Sequence, residues 1–192
     1  SGKVVLEGDL GTHKVVTGGL TALGKIEAKL PDVTEACEMI FSLRMAGTGV
    51  INEWSFWVFP AQTTVSVPDG VTFTDKWTHD VREKLENGGS VLLTADAGSV
   101  ANPVPGTFYT VFWGRGLFPD LLRPMGIHCD PKHGALAGFP TRDHSQFQWL
   151  SLLSGSTAMT LNELPFGFEP VVSMIDDFNE CHRLAVLIEA KV

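Results

Sequence analysis

In "ACEMIFSLRM", residues 36–45, Cys37, Met39, Phe41, Leu43 and Met45 alternate with Glu38, Ser42 and Arg44. That is the period of two of a half-buried antiparallel strand, with Ile40 the one apolar residue on the outer face. "AGTG" turns the chain into "VINEWSFWVFP", whose aromatic and β-branched content again favours a strand, ended by Pro60. With "GGLTALGKIEAKL" before it, the first sixty residues read as strands of a partial β-sandwich.

The period changes after Pro60. In "THDVREKLENGG" Val81 and Leu85 lie four apart with Trp77 one turn earlier. Asp80 stands three residues before Glu83 as in a capping box, and Gly88 and Gly89 end the helix. The next run, "SVLLTA", is apolar without alternation, as for a strand of a parallel sheet buried on both faces. A second helix is expected from Asp143, with Asp143 as cap, Gln146 at the third position, a stripe of Phe147, Leu150 and Leu153, and Gly155 as the stop. "PVVSMI" and "RLAVLIEAKV" follow as two apolar strands joined by the turn "DDFNECH". The expected organisation is an all-β segment over residues 1–62 and an α/β domain over residues 63–192, with the boundary near Pro60 to Pro68.

Composition narrows the partners. The 14 basic and 22 acidic side chains give a formal charge of -8, which repels nucleic-acid phosphates and anionic lipid surfaces, so neither nucleic acid nor membrane is expected as a partner. No run approaches the roughly 18 apolar residues of a membrane span, and the start lacks the order of a signal peptide. The ending in the middle of an apolar strand suggests a piece excised from something longer, whose compartment, periplasmic or exported, this chain does not encode. Cys37, Cys129 and Cys181 are odd in number and far apart, which indicates neither a disulfide framework nor a paired metal motif.

The densest chemistry lies in "GIHCDPKHGALAGFPTRDHSQFQW", residues 126–149. A thiol enzyme would use Cys129 with His128, His133 or His144 as base. A nucleophile elbow needs small residues two before and two after the cysteine, whereas Ile127 and Pro131 stand there. Metal ligation by His128, Cys129, Asp130, His133 and His144 lacks the paired spacing of zinc sites; adjacent His128 and Cys129 would face opposite ways, and "CDPKHG" reads as a turn with Asp130 bonding its own backbone. No metal or other cofactor is expected. The carboxylates best placed for glycosidic chemistry are Asp176, with its neighbour Asp177, and Glu189, although tandem aspartates are commoner as turn formers. Of the five tryptophans, Trp77 and Trp149 are expected to pack inward, while Trp113 beside Arg115 in a Gly-rich stretch is the aromatic best suited to touch a ligand, with His128 and His144 as polar neighbours.

In order, "LGKIEAKL", "NEWSFWVFP", "LENGGSVLLTA", "FYTVFWGRGLF", the 125–149 stretch and "PVVSMIDDFNECHRLAVLIEAKV" resemble the C-terminal region of large bacterial glycoside hydrolase family 2 proteins, the group that includes β-galactosidase-like enzymes. The resemblance spans nearly the whole chain. It implies a β-sandwich segment followed by a three-layer, flavodoxin-like α/β domain similar to class I glutamine amidotransferases, both lying beyond a catalytic barrel that would be the principal partner. It also implies that the catalytic glutamates reside in that barrel, since no residue here matches them. The functions to be weighed are a non-catalytic accessory region that scaffolds or contacts glycan, a divergent thiol hydrolase built on Cys129, and an interaction domain that could pair copies through an open strand edge.

Overall fold

The computed structural model describes residues 2–61, 64–107, 117–119 and 124–191. Its architecture is β-rich, with nine strands and two α-helices among those residues.

The alternation in the first region becomes a hairpin. Strand β1 (Cys37–Arg44) pairs antiparallel with β2 (Ile51–Val58) in a register that sets Cys37 opposite Val58 and Arg44 opposite Ile51. Ile40 is exposed on the outer face, as the pattern requires. Ahead of it "GGLTALGKIEAKL" forms no strand. The expected sandwich is therefore represented by one two-stranded sheet.

A βαβ unit follows. Strand β3 (Val71–Thr74) runs parallel to β4 (Ser90–Leu93), and helix α1 (His79–Glu86) connects them. The cap of α1 is Thr78, whose hydroxyl accepts from the Val81 amide, so Asp80 sits within the first turn where the helix dipole favours its charge. At the other end Gly88, with φ +76°, and Gly89 return their amides to the carbonyls of Leu85 and Lys84, the 5→2 and 6→1 bonds of a Schellman stop. The parallel pairing of "SVLL" is as expected, but its burial is not. With one neighbouring strand instead of two, Leu92 remains exposed, and so does Trp77.

The core lies in a five-stranded sheet ordered β5 (Val104–Pro105), β7 (Thr157–Thr160), β9 (Arg183–Leu187), β8 (Val172–Ile175), β6 (Gly126–Cys129). Every pairing in it is antiparallel, where a flavodoxin-like sheet would be parallel. Helix α2 (Phe147–Leu153) packs on it with Trp149 and Leu153, four residues apart, against Val104, Ile127, Val172, Met174 and Leu184. Each fully buried side chain of this size contributes about 1.5–3 kcal/mol. The helix begins three residues later than a cap at Asp143 predicts, with Gln146 in the cap position. Residues 143–145 bond to strand β6 instead: Cys129 donates its amide to the Asp143 carbonyl, and Ser145 Oγ accepts from the Ile127 amide at 2.8 Å. That delay also turns Phe147 out into solvent, leaving Trp149, Leu150 and Leu153 as the inward stripe.

Hairpin and sheet are joined by aromatic side chains. Phe59 stacks on Phe139 at 5.6 Å between ring centroids, and Phe139 meets Trp149 edge-on at 5.0 Å. Beside them Trp57 Nε1 donates to Gln146 Oε1 at 3.2 Å, and Arg142 pairs with Glu38 at 2.7 Å.

Candidate functional site

The residues from 126 to 149 fold as a polar clasp around strand β6. Alternation along the strand sends Cys129 into the core and leaves His128 exposed, opposite faces as expected of adjacent residues. Cys129 Sγ donates to the Arg142 carbonyl at 3.3 Å. Burial, followed by the charges of Asp143 and Asp130, pushes its thiol above the ordinary range, the opposite of what a nucleophile at neutral pH requires.

His128 and His144 face each other across an isolated antiparallel bridge. His144 Nδ1 donates to Asp143 Oδ1 at 2.6 Å. That hydrogen bond is the main reason the Asp143 carboxyl is held below its usual value; burial opposes it, and the nearby charges of His144 and His128 add to it. Asp143 is thus engaged with its neighbour instead of capping α2.

"CDPKHG" forms the expected turn, with Asp130 Oδ1 accepting from the Lys132 amide at 3.0 Å. The chain then leads into a short 3₁₀ turn, Gly134–Leu136, that His133 caps through Nδ1, which accepts from the Ala135 amide. Because Nδ1 is an acceptor, the neutral ring carries its proton on Nε2, 3.6 Å from Glu189 Oε2. His133 and Glu189 therefore come together, and with Asp130, Lys191, Pro170 and Val171 they line a groove of 460 Å³. Glu169 also lines it and borders a second cleft of 480 Å³.

The second cleft holds Asp176. Its Oδ1 accepts from the Asp177 amide at 2.9 Å, and its Oδ2 accepts from the His182 amide at 3.1 Å and from His182 Nδ1 at 2.8 Å. Asp177, fully buried, accepts through Oδ1 from the amide and the side-chain nitrogen of Asn179, so the tandem aspartates build the turn between β8 and β9. That turn forces Cys181 to φ +52° and directs its thiol to the Phe178 carbonyl. Next to it the Arg183 guanidinium donates to the carbonyls of Leu161, Leu164, Pro165 and Phe168 and lies 5.3 Å from the centroid of the Phe166 ring.

Asp176 and Glu189 do not meet. Antiparallel register sets Ile175 opposite Arg183 and Val172 opposite Leu187. Asp176 is at one end of that hairpin and Glu189 beyond the other, roughly 20 Å apart at about 3.3 Å per residue. A retaining pair needs about 5 Å and an inverting pair less than about 10 Å. Among the described residues no group of three or more His, Cys, Asp or Glu could hold a metal ion. Trp113 and Arg115 lie outside the described residues. Sequence reasoning missed His182, Arg183 and Lys191. The first two carry a signal, a histidine and an arginine directly after a tandem-aspartate turn, where a cation is placed to bind carboxylate and carbonyl oxygens.

No helix among the described residues is long and apolar enough to cross a membrane. No curated protein is similar enough to the chain to count as a match. Residues 1–60 match a family described as "Domain of unknown function (DUF8488)". Residues 72–192, more than half of the chain and the part that carries the sheet, the clasp and both clefts, match a second family, and on that match the chain belongs to the family described as "Domain of unknown function (DUF8487)".

Proposed function

We propose that the chain is a non-catalytic accessory region of a carbohydrate-active glycoside hydrolase, and that the groove lined by Asp130, His133 and Glu189 is where it contacts glycan. The observation that carries this reading is the placement of the reactive side chains. The two candidate carboxylates stand at opposite ends of one hairpin, and the Cys129 thiol is buried and bonded to a carbonyl. The groove nevertheless has the chemistry for sugars. Carboxylates accept from neighbouring hydroxyls, the His133 Nε2–H donates, and Pro170 and Val171 offer apolar surface to a ring's C–H face. Its 460 Å³ falls within the range of small-ligand sites.

The resemblance of the ordered sequence blocks to glycoside hydrolase family 2 proteins is what supports this parentage, with a catalytic barrel as the neighbour. The parallel β3–α1–β4 unit fits an amidotransferase-like domain over residues 71–93 alone, and the antiparallel five-stranded sheet departs from that architecture. The same placement of Cys129 weighs against a divergent thiol hydrolase.

Calorimetric titration against galactosides, mannosides and longer oligosaccharides tests the proposal. Binding is expected, weakened about tenfold by Glu189→Gln through loss of a charged acceptor. Binding that Glu189→Gln and Asp130→Asn both leave unchanged would place the glycan elsewhere.

A further inference from the structure

Strand register sets His128 and His144, distant in sequence, directly opposite each other. The Cys129 amide donates to the Asp143 carbonyl at 3.0 Å, so the ladder bond joins residues that flank the two histidines. His128 and His144 therefore form a non-hydrogen-bonded antiparallel pair, the closer of the two kinds, with Cα atoms about 4.5 Å apart and Cβ atoms about 4.5–5.5 Å apart on one face. That face is open. Both histidines are exposed, whereas Ile127 and Cys129 on either side of His128 are 1% and 3% exposed.

The backbone beneath the pair is braced. Ile127 and Cys129 anchor the strand in the core, Ser145 Oγ accepts from the Ile127 amide at 2.8 Å, and Ser173 Oγ donates to the His128 carbonyl at 3.0 Å. The rings are also prepared chemically. Because His144 Nδ1 donates to Asp143 Oδ1 at 2.6 Å, the neutral ring presents the lone pair of Nε2. A carboxylate behind an imidazole is the usual support of a metal-ligating histidine, fixing its tautomer and raising its basicity. The same carboxylate is close enough to His128 to feel its charge, so a cation between the rings would meet a negative neighbour.

We infer that His128 and His144 are a two-imidazole site for a divalent late transition ion of the copper, nickel and zinc class, each ring giving one nitrogen. Cβ atoms about 5 Å apart let both rings converge on one ion at metal–nitrogen distances of about 2.0–2.1 Å. Among the described residues no third His, Cys, Asp or Glu completes a set, so water or an outside ligand takes the remaining positions and the ion is exchangeable. Neither histidine lines either cleft, which separates this site from the glycan groove. Ligand spacing along the chain cannot report such a pair, because register and not sequence distance brings the rings together.

Calorimetric titration of the whole chain with Cu²⁺, Ni²⁺, Zn²⁺, Mg²⁺ and Ca²⁺ is the test. Binding is expected to be tightest for Cu²⁺, weaker for Ni²⁺ and Zn²⁺, and undetectable for Mg²⁺ and Ca²⁺, the order of an imidazole site and not of a carboxylate one. His128→Asn and His144→Asn should each weaken Ni²⁺ about tenfold or more, and the double variant no further than either single one, because a chelate is lost with either arm. Asp143→Asn should cost about tenfold, and His133→Asn nothing. Both histidines are exposed, so the variants should keep the fold, which circular dichroism checks. A readout free of substitutions is the Tm of the unsubstituted chain, expected to rise by about 5 °C or more at Ni²⁺ a hundredfold above Kd. Failure of Cu²⁺ and Ni²⁺ to bind would overturn the inference, as would equal binding of Mg²⁺. So would losses that add in the double variant, since the rings would then act separately, or binding that follows His133 instead.

Discussion

Removing the Phe139 ring should separate the hairpin from the sheet. Phe139 is half-buried between Phe59 and Trp149, with ring contacts at 5.6 and 5.0 Å, and it packs against the edge of the core. Full truncation of a core phenylalanine costs about 3–5 kcal/mol, so a half-buried one with two ring contacts should cost about 2–3 kcal/mol. In a chain of this size that lowers Tm by about 5–8 °C. The polar links cannot compensate. The Arg142–Glu38 pair is partly exposed, a class worth about 1 kcal/mol, and the Trp57–Gln146 bond adds a similar amount. Calorimetric melting of Phe139→Ala, with a double-mutant cycle against Phe59→Ala, measures the effect. A coupling of about 1 kcal/mol is expected. A Tm unchanged within about 1 °C, or additive single substitutions, would refute the claim that this stack joins the two regions.

Three further outcomes follow from the site. Alkylation of the folded chain should label Cys181 and the half-buried Cys37 well before Cys129, whose thiol is buried and raised in pKa; peptide mass spectrometry after timed iodoacetamide exposure checks the order. Asp143 is held below its ordinary pKa chiefly by His144, so any stability it contributes is present above the usual carboxylate range and lost as pH falls through the lowered value. Carbon-detected NMR titration should show that His144→Ala moves the Asp143 transition back towards the ordinary value of about 3.9. Arg183→Met should release the carbonyls of residues 161–168 at a cost of about 1–2 kcal/mol, with limited proteolysis between Leu161 and Phe168 as the readout. Arg183→Lys should not restore resistance, because an ammonium has no planar fork to reach several carbonyls at once.

Much of this was legible from side-chain period and turn chemistry. The β1–β2 hairpin, helix α1 ended by Gly88 and Gly89 with strand β4 after it, the "CDPKHG" turn and the final β8–β9 pair all follow from signals local to their own residues. What was hidden depends on partners far along the chain. Asp143 has the composition of a helix cap, yet strand β6 competes for residues 143–145 and wins by pairing backbone to backbone. Trp77 has helical spacing with Val81 yet stays 59% exposed, and "GGLTALGKIEAKL" has a strand's composition yet forms no strand. Of the candidate site, the separation of Asp176 from Glu189 could not be read from composition, because it is set by the register of two strands. The meeting of His133 with Glu189 joins residues 56 positions apart and had no local signal.

The central claim is that this chain contacts glycan without turning it over. Proton NMR of a galacto-oligosaccharide incubated with the chain reports both parts at once, through saturation transfer to the bound sugar and through the anomeric signals of any product. The account predicts transfer, diminished by Glu189→Gln, with no new anomeric signal above a protein-free control. Product signals that disappear with Asp176→Asn or Glu189→Gln would contradict it.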